Sequence, residues 1–203
     1  VNAPRGAPGG PGGPSWTRPE GFGRRRRPDA WPGWAGSRSV SPDRALHCPG
    51  VRIRVLSVGR DRSGLYAPAV AEYAKRIARF ARFSLEEVPE ARRAAGTPRA
   101  RDEEAESLLA RIGERERVVS LDERGREATS AELARRLGGW LRDGRDVTLV
   151  VGGSDGLGDA ARERADETLA LSRLTLAHRL ARLVLLEQLY RAFTILRGEP
   201  YHK

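Results

Sequence analysis

Val147-Thr148-Leu149-Val150-Val151-Gly152-Gly153-Ser154-Asp155-Gly156-Leu157-Gly158 runs five apolar or β-branched residues directly into four glycines within seven positions. A run this apolar, bounded by Asp146 and Gly152, predicts a strand buried on both faces, as in a mostly parallel α/β sheet. The glycines then stand at its C-terminal end, where open α/β sheets bind ligands. Glycine there lets a backbone approach a ligand closely. No Lys-Ser/Thr pair follows, so this is not a P-loop. Nor is it the Gly-x-Gly-x-x-Gly dinucleotide fingerprint, and it lies late in the chain, not after the first strand. An ordinary dehydrogenase or a Rossmann methyltransferase is therefore disfavoured.

Upstream the pattern is βαβ-like from Val51. Val51 to Val58 alternates and stops at Gly59, which predicts a first strand. A basic loop, Gly59 to Gly64, leads to a helix over about 65–82, with Val70, Tyr73, Ile77 and Phe80 at helical spacing. Phe83 to Val88 predicts a second strand, 89–100 a loop, and 102–114 a charged helix. A third strand is expected over Arg117–Asp122, with Glu123-Arg124-Gly125 turning away. Thr129-Ser130-Ala131-Glu132 is a capping-box helix start, and that helix runs to about Arg142. Downstream of Gly158 a charged helix to about Ala170 and a short last strand, Leu171 to Leu176, are expected. The final helix, about Arg179 to Arg197, is apolar over most of its circumference, so it is buried on most sides, with a subunit interface as a further partner.

The chain has 203 residues, a formal net charge of +10 and one cysteine, Cys48. A pI near 10.9 suggests a polyanionic partner. Arginine supplies 35 of the 37 basic residues, and its planar fork suits phosphate. A lone cysteine allows neither an intrachain disulfide nor a cysteine zinc cluster. No apolar run approaches the roughly 18–20 residues that span a bilayer. A soluble cytoplasmic protein is expected, with no membrane partner and no metal.

Residues 1–50 differ in composition: 19 are Gly or Pro, and three of the four tryptophans are here. Apolar periodicity is absent, so the segment cannot bury enough area to offset its ordering entropy. Arg24–Arg27 is not a twin-arginine signal, because Pro28-Asp29-Ala30-Trp31-Pro32 follows where an apolar stretch belongs. His47 beside Cys48 makes no metal site without further ligands. The expectation is a disordered Pro/Gly/Arg-rich extension, either a basic arm or an over-extended start. Methionine is absent throughout, so Val1 or Val51 is read as an alternative start; the second is favoured.

Leu121-Asp122, Gly152–Gly156 and Leu171–Leu176 all follow expected strands, and neighbouring strands would bring them to one crevice. His178 opens the last helix. Arg182 falls on that helix's apolar side, where a charge must be paired or reach a cleft. Arg191 lies on its polar stripe. Tyr201 and His202 follow Pro200 in the tail.

Together these segments resemble a known family. V-V-G-G-S-D-G-L, L-S-R-L-T-L-A-H and the closing E-Q-L-Y-R-A-F-T-I-L-R-G-E-P-Y-H-K are similar to the SPOUT-class pseudouridine N3-methyltransferases of bacterial large-subunit ribosomal RNA. V-R-I-R-V-L-S-V-G matches that family's opening strand, and the resemblance spans residues 51–203. It implies an α/β fold, a mostly parallel sheet flanked by helices, with a C-terminal deep trefoil knot, an exception to un-knotted topology. It also implies a homodimer holding S-adenosylmethionine near the subunit interface, and methylation of N3 of a pseudouridine in helix 69 of 23S ribosomal RNA within the assembled ribosome. Carried over by position, cofactor contacts fall on Leu121, Gly152, Leu171, Ser172, Arg173, Leu174, Thr175 and Leu176. The groups expected at the target base are His202 and Arg191, with Tyr201 and His178 positioning. One departure is Ala177, where the family usually has proline. The alternatives are a knotted methyltransferase acting on another RNA atom or on transfer RNA, and a catalytically silent ribosome-binding factor.

Overall fold

A computed structural model describes residues 50–61, 64–91 and 97–202. The expectations for residues 1–49, including His47 and Cys48, lie outside the described residues, as do residues 62 and 63 of the basic loop. In chain order the elements are β1 (Arg52–Val58), α1 (Ala67–Ile77), β2 (Arg82–Val88), α2 (Pro98–Leu109), β3 (Arg117–Glu127), α3 (Ser130–Asp143), β4 (Val147–Val151), α4 (Asp159–Glu163), β5 (Glu167–Ala170) and α5 (His178–Arg197). The five strands form one sheet in the order β2-β1-β4-β3-β5, with every pairing parallel.

β4 is central and every residue in it is buried, as its sequence requires. Alternation then sorts the side chains. Ile53, Val55, Val119, Val147, Leu149 and Val151 face a layer formed by α1, α3 and α5, with Leu137, Leu186 and Phe193 among its buried residues. Leu56, Val58, Val118 and Val150 face α2 and α4 through Leu108 and Ala161. α3 starts on the expected capping box: Thr129 Oγ1 accepts from the Glu132 N–H at 3.2 Å, and Glu132 accepts from the Thr129 N–H at 2.8 Å.

Several boundaries differ from expectation: the first helix, expected over about 65–82, covers Ala67–Ile77, and Arg82 already belongs to β2. α2 begins at Pro98, not near Asp102, because Thr97 caps it, accepting from the Ala100 N–H at 3.2 Å, and proline at the first turn costs no hydrogen bond. β3 does not stop at Asp122: after a bulge it pairs again with β5 through Arg126 and Glu127. Gly125 permits this, since a Cβ there would lie 2.6 Å from the Leu169 backbone carbon. The helix after Gly158 ends at Glu163. The final strand is therefore Glu167–Ala170, and Leu171–Leu176 are the loop behind it. Asp166 decides the matter by exchanging hydrogen bonds with Val118, its N–H donating to Val118 O at 2.9 Å and its carboxylate accepting from the Val118 N–H at 2.7 Å. That clamps the chain into strand register directly after α4.

Candidate active site

β3, β4 and β5 open at their C-terminal ends into a cavity of about 650 Å³, within the size range of small-molecule sites. Leu121 and Gly152 line one side; Leu171, Ser172, Leu174, Thr175 and Leu176 line the other, and His178 closes the top. Arg173 is the one expected contact outside the lining; its side chain is exposed and 4.0 Å from Glu127. Leu174 is 75% exposed, an apolar side chain offered to whatever fills the cavity or covers its mouth. Ser172 Oγ accepts from the Leu174 N–H at 2.9 Å and folds the loop.

The glycine loop turns back on itself. Gly153 and Gly156 form an antiparallel bridge, and Gly156, at φ +81°, donates to Gly153 O at 3.2 Å. Gly152 is required for this: a Cβ would lie 2.6 Å from the Gly156 carbonyl carbon and oxygen, nearer than backbone can yield. The wall thus presents backbone groups, suited to reading the edge of a heterocycle.

His178 is half-buried, and its Nε2 is buried without a hydrogen-bond partner among the described residues. Burial, and then the neighbouring Arg179 and Arg182 charges, hold its pKa below the usual imidazole value, so the ring is neutral near pH 7. Arg182, 3% exposed, is paired as its position demands, its Nη1 2.6 Å from Glu87 and 3.4 Å from Ser57 Oγ.

The remaining expected residues form a second cluster at the other end of α5. Glu187 Oε1 accepts from Arg191 Nη2 at 2.6 Å, Arg191 Nε at 3.0 Å and the Tyr201 hydroxyl at 3.2 Å. The Arg191 guanidinium lies 4.7 Å from the Tyr201 ring centroid, and its Nη1 is 3.5 Å from His202 Nδ1. Tyr201 also packs edge-on against Tyr190 at 4.8 Å. Burial, the Tyr73 hydroxyl and the Glu187 carboxylate raise the Tyr201 pKa; the phenol stays protonated and acts as a donor. Glu187 was not anticipated, although its spacing of four residues from Arg191 was a usable signal. His178 and Arg191 are thirteen residues apart on one helix, or roughly 20 Å at the α-helical rise. Within one chain they do not meet.

The chain belongs to the SPOUT methyltransferase family, whose model matches residues 51–202. Its relatives are more particular. A protein named ribosomal RNA large subunit methyltransferase H from Anaeromyxobacter sp. (strain Fw109-5) is 70% identical over 153 residues, covering 75% of this chain and all of the relative. The protein of that name from Alkalilimnicola ehrlichii is 46% identical over 155 residues, covering 75% of this chain and 99% of the relative. Among the described residues no helix is long and apolar enough to cross a membrane, and no group of three His, Cys, Asp or Glu side chains is placed to hold a metal ion.

Proposed function

We propose that this enzyme transfers the methyl group of S-adenosylmethionine to N3 of a pseudouridine in helix 69 of 23S ribosomal RNA, as a cytoplasmic homodimer acting on the assembled ribosome. The observation that carries the reading is the convergence of Leu121, Gly152 and the 171–176 loop on one cavity at the C-terminal end of the sheet. When bound, the cofactor supplies an electrophilic methyl group on a sulfonium. Leu121, Gly152 and the 171–176 loop hold it there by backbone groups and apolar contact.

The other requirement is a nucleophile in line with that methyl group, so alignment supplies much of the rate. N3 of the base must lose its proton, and negative charge develops on the imide. Arg191, held by Glu187 and stacked on Tyr201, offers a fixed cation for that charge. Tyr201, its hydroxyl donating to Glu187, holds Arg191 in place, and His202, at the edge of the cluster, takes the N3 proton. The two clusters sit at opposite ends of α5, which supports a dimer in which one subunit's tail cluster serves its partner's cavity. Arg60, which is exposed, and Arg76, which lies over the Tyr73 and Tyr190 rings at 5.6 and 5.5 Å, offer phosphate and base contacts.

The test is to incubate the protein with radiolabelled S-adenosylmethionine and either assembled ribosomes or naked 23S RNA, then map the labelled nucleotide. Label on a helix 69 pseudouridine, richer on ribosomes, is expected; label elsewhere, or on transfer RNA, overturns the substrate. Calorimetry showing no heat with S-adenosylmethionine overturns the cofactor. Under single turnover His202→Ala is expected to be slow, and wild-type turnover would remove its role as base.

A further inference from the structure

The β3 bulge and the glycine loop form two walls of the cavity. One side-chain pair joins them. Asp122, whose side chain is 6% exposed, directs Oδ2 to Arg162 Nε at 2.7 Å and accepts the Arg124 N–H on Oδ1 at 3.0 Å. Arg162 rises from α4, and its Nη2 stands 3.7 Å from where a Cβ on Gly156 would be. Its Nη1 reaches Asp159 at 2.7 Å, an exposed carboxylate of its own helix. A single guanidinium therefore touches the bulge, α4 and the flank of the glycine loop.

Both Asp122 oxygens are committed to protein donors. The residue lines the cavity but has no strong acceptor left for a ligand hydroxyl and no unpaired charge to offer a sulfonium. Its contribution is geometric. The bulge bonds to β5 only after Leu121, at Arg126, so residues 122–125 depend on the Arg124 turn and the Arg162 link for their position. The loop at 153–157 is anchored at one end by buried Leu157; its tip has one internal bridge and the guanidinium beside Gly156.

We propose that Asp122 and Arg162 form a clasp that holds the β3 bulge and the glycine loop at the separation the methyl donor requires, and that both are positioning residues of the cofactor site. The inference rests on the cofactor reading above for its ligand, but the clasp itself is a property of the free protein. Burial pushes the Asp122 carboxyl up, while the Arg124 N–H and the Arg162 guanidinium outweigh it and leave it below its ordinary range. The clasp is thus intact at neutral pH.

The experiment compares full-length wild type with Asp122→Asn, Arg162→Gln and Arg162→Lys. In ligand-free protein, amide hydrogen exchange over 123–126 and 153–157 should rise about tenfold in Asp122→Asn and Arg162→Gln, while β1 and β2 are unchanged. With ribosomes as substrate the KM for S-adenosylmethionine should rise about tenfold and kcat fall less than threefold. Arg162→Lys, which keeps a charge for Asp122, should recover much of both. Loop exchange and KM that match wild type in all three variants overturn the clasp. So does a uniform rise in exchange across the sheet, which would mark a general stability effect. If wild type fails to bind S-adenosylmethionine while the loop exchange behaves as described, the cofactor reading falls and the clasp stands.

Discussion

The two ends of the sheet are finished differently. At the N-terminal ends of β1, β3 and β4 the polar groups close on one another. Arg54, 6% exposed, meets Glu116 at 2.8 Å, Thr148 Oγ1 at 3.2 Å and Arg111 O at 2.7 Å. Thr148 donates its hydroxyl to Glu116, and Arg52 adds Asp146 at 3.3 Å. At the C-terminal ends the same strands run into a glycine loop, a bulge and an open cavity, with a neutral imidazole whose Nε2 has no partner among the described residues. One end closes its charges into a cohesive network; the other also pairs charges, as in Asp122–Arg162 and Arg182–Glu87, but frames open space for a ligand. The contrast follows the general rule for parallel α/β sheets, and it divides residues whose loss should unfold the chain from those whose loss should empty the site.

The largest effect should come from the closed end. Glu116→Ala removes the closer of the two carboxylates paired with the buried Arg54 guanidinium and leaves Glu86 at 3.6 Å; breaking a buried pair costs up to about 3–5 kcal/mol. A urea melt should show that loss, while cofactor affinity at low denaturant stays near wild type. A weakened affinity without a lowered midpoint would erase the distinction between the ends. At the open end Gly152→Ala should do the reverse in emphasis. Its Cβ meets the Gly156 backbone at 2.6 Å, so the loop must move. Overpacking of this kind costs about 1–3 kcal/mol, but S-adenosylmethionine binding by calorimetry should fall more than tenfold.

How much of this was readable beforehand depends on how each residue gets its conformation. β4 and α3 were legible because apolar periodicity and a capping box are local. β5 was not, since Glu167-Thr168-Leu169-Ala170 is a strand only through partners far along the chain: Glu167 accepts from Arg136 at 2.8 Å and from Trp140 Nε1 at 3.2 Å, and Thr168 Oγ1 from Ser120 at 3.0 Å. Nothing in four residues following a charged helix announces that. The candidate contacts rest on the family resemblance, and the Leu171–Leu176 segment, which lines the cavity, is a loop where a strand was expected. The hub role of Glu187 escaped because its partners, Arg191 and Tyr201, converge only once the tail folds back on α5. The Thr97-Pro98 pair carries a local helix-start signal, but the surrounding Pro/Gly-containing stretch masks it.

A mid-sized effect tests the tail cluster against both ends. Glu187→Gln keeps the shape but removes the charge that orients Arg191 and receives the Tyr201 hydroxyl. Misplacing a positioning group by about 1 Å can cost on the order of 10²-fold in rate, so single-turnover methylation should slow by roughly ten- to a hundredfold. Cofactor affinity should change less than threefold, because Glu187 is remote from its own chain's cavity. A matching loss of affinity would mean that the tail also grips the cofactor.

The smallest effect comes from His178, whose Nε2 is buried without a hydrogen-bond partner among the described residues. Because the folded pKa of His178 lies below its ordinary value, the unfolded chain binds more protons as pH drops through about 6.5. Stability must therefore decrease across the window between that value and the lower folded pKa. At pH 7 and above the ring is neutral in both states and contributes no slope. His178→Gln removes the titration while keeping a polar side chain, so its melting temperature should fall less than wild type's between pH 7 and pH 5. The ring is only half-buried, which keeps the difference to a degree or two at most, on the order of a few tenths of a kcal/mol in a domain this size. Parallel pH profiles for the two proteins would mean that the imidazole charges freely at the cavity mouth. The open end would then hold a cation there in acid, beside the site proposed for a cationic methyl donor.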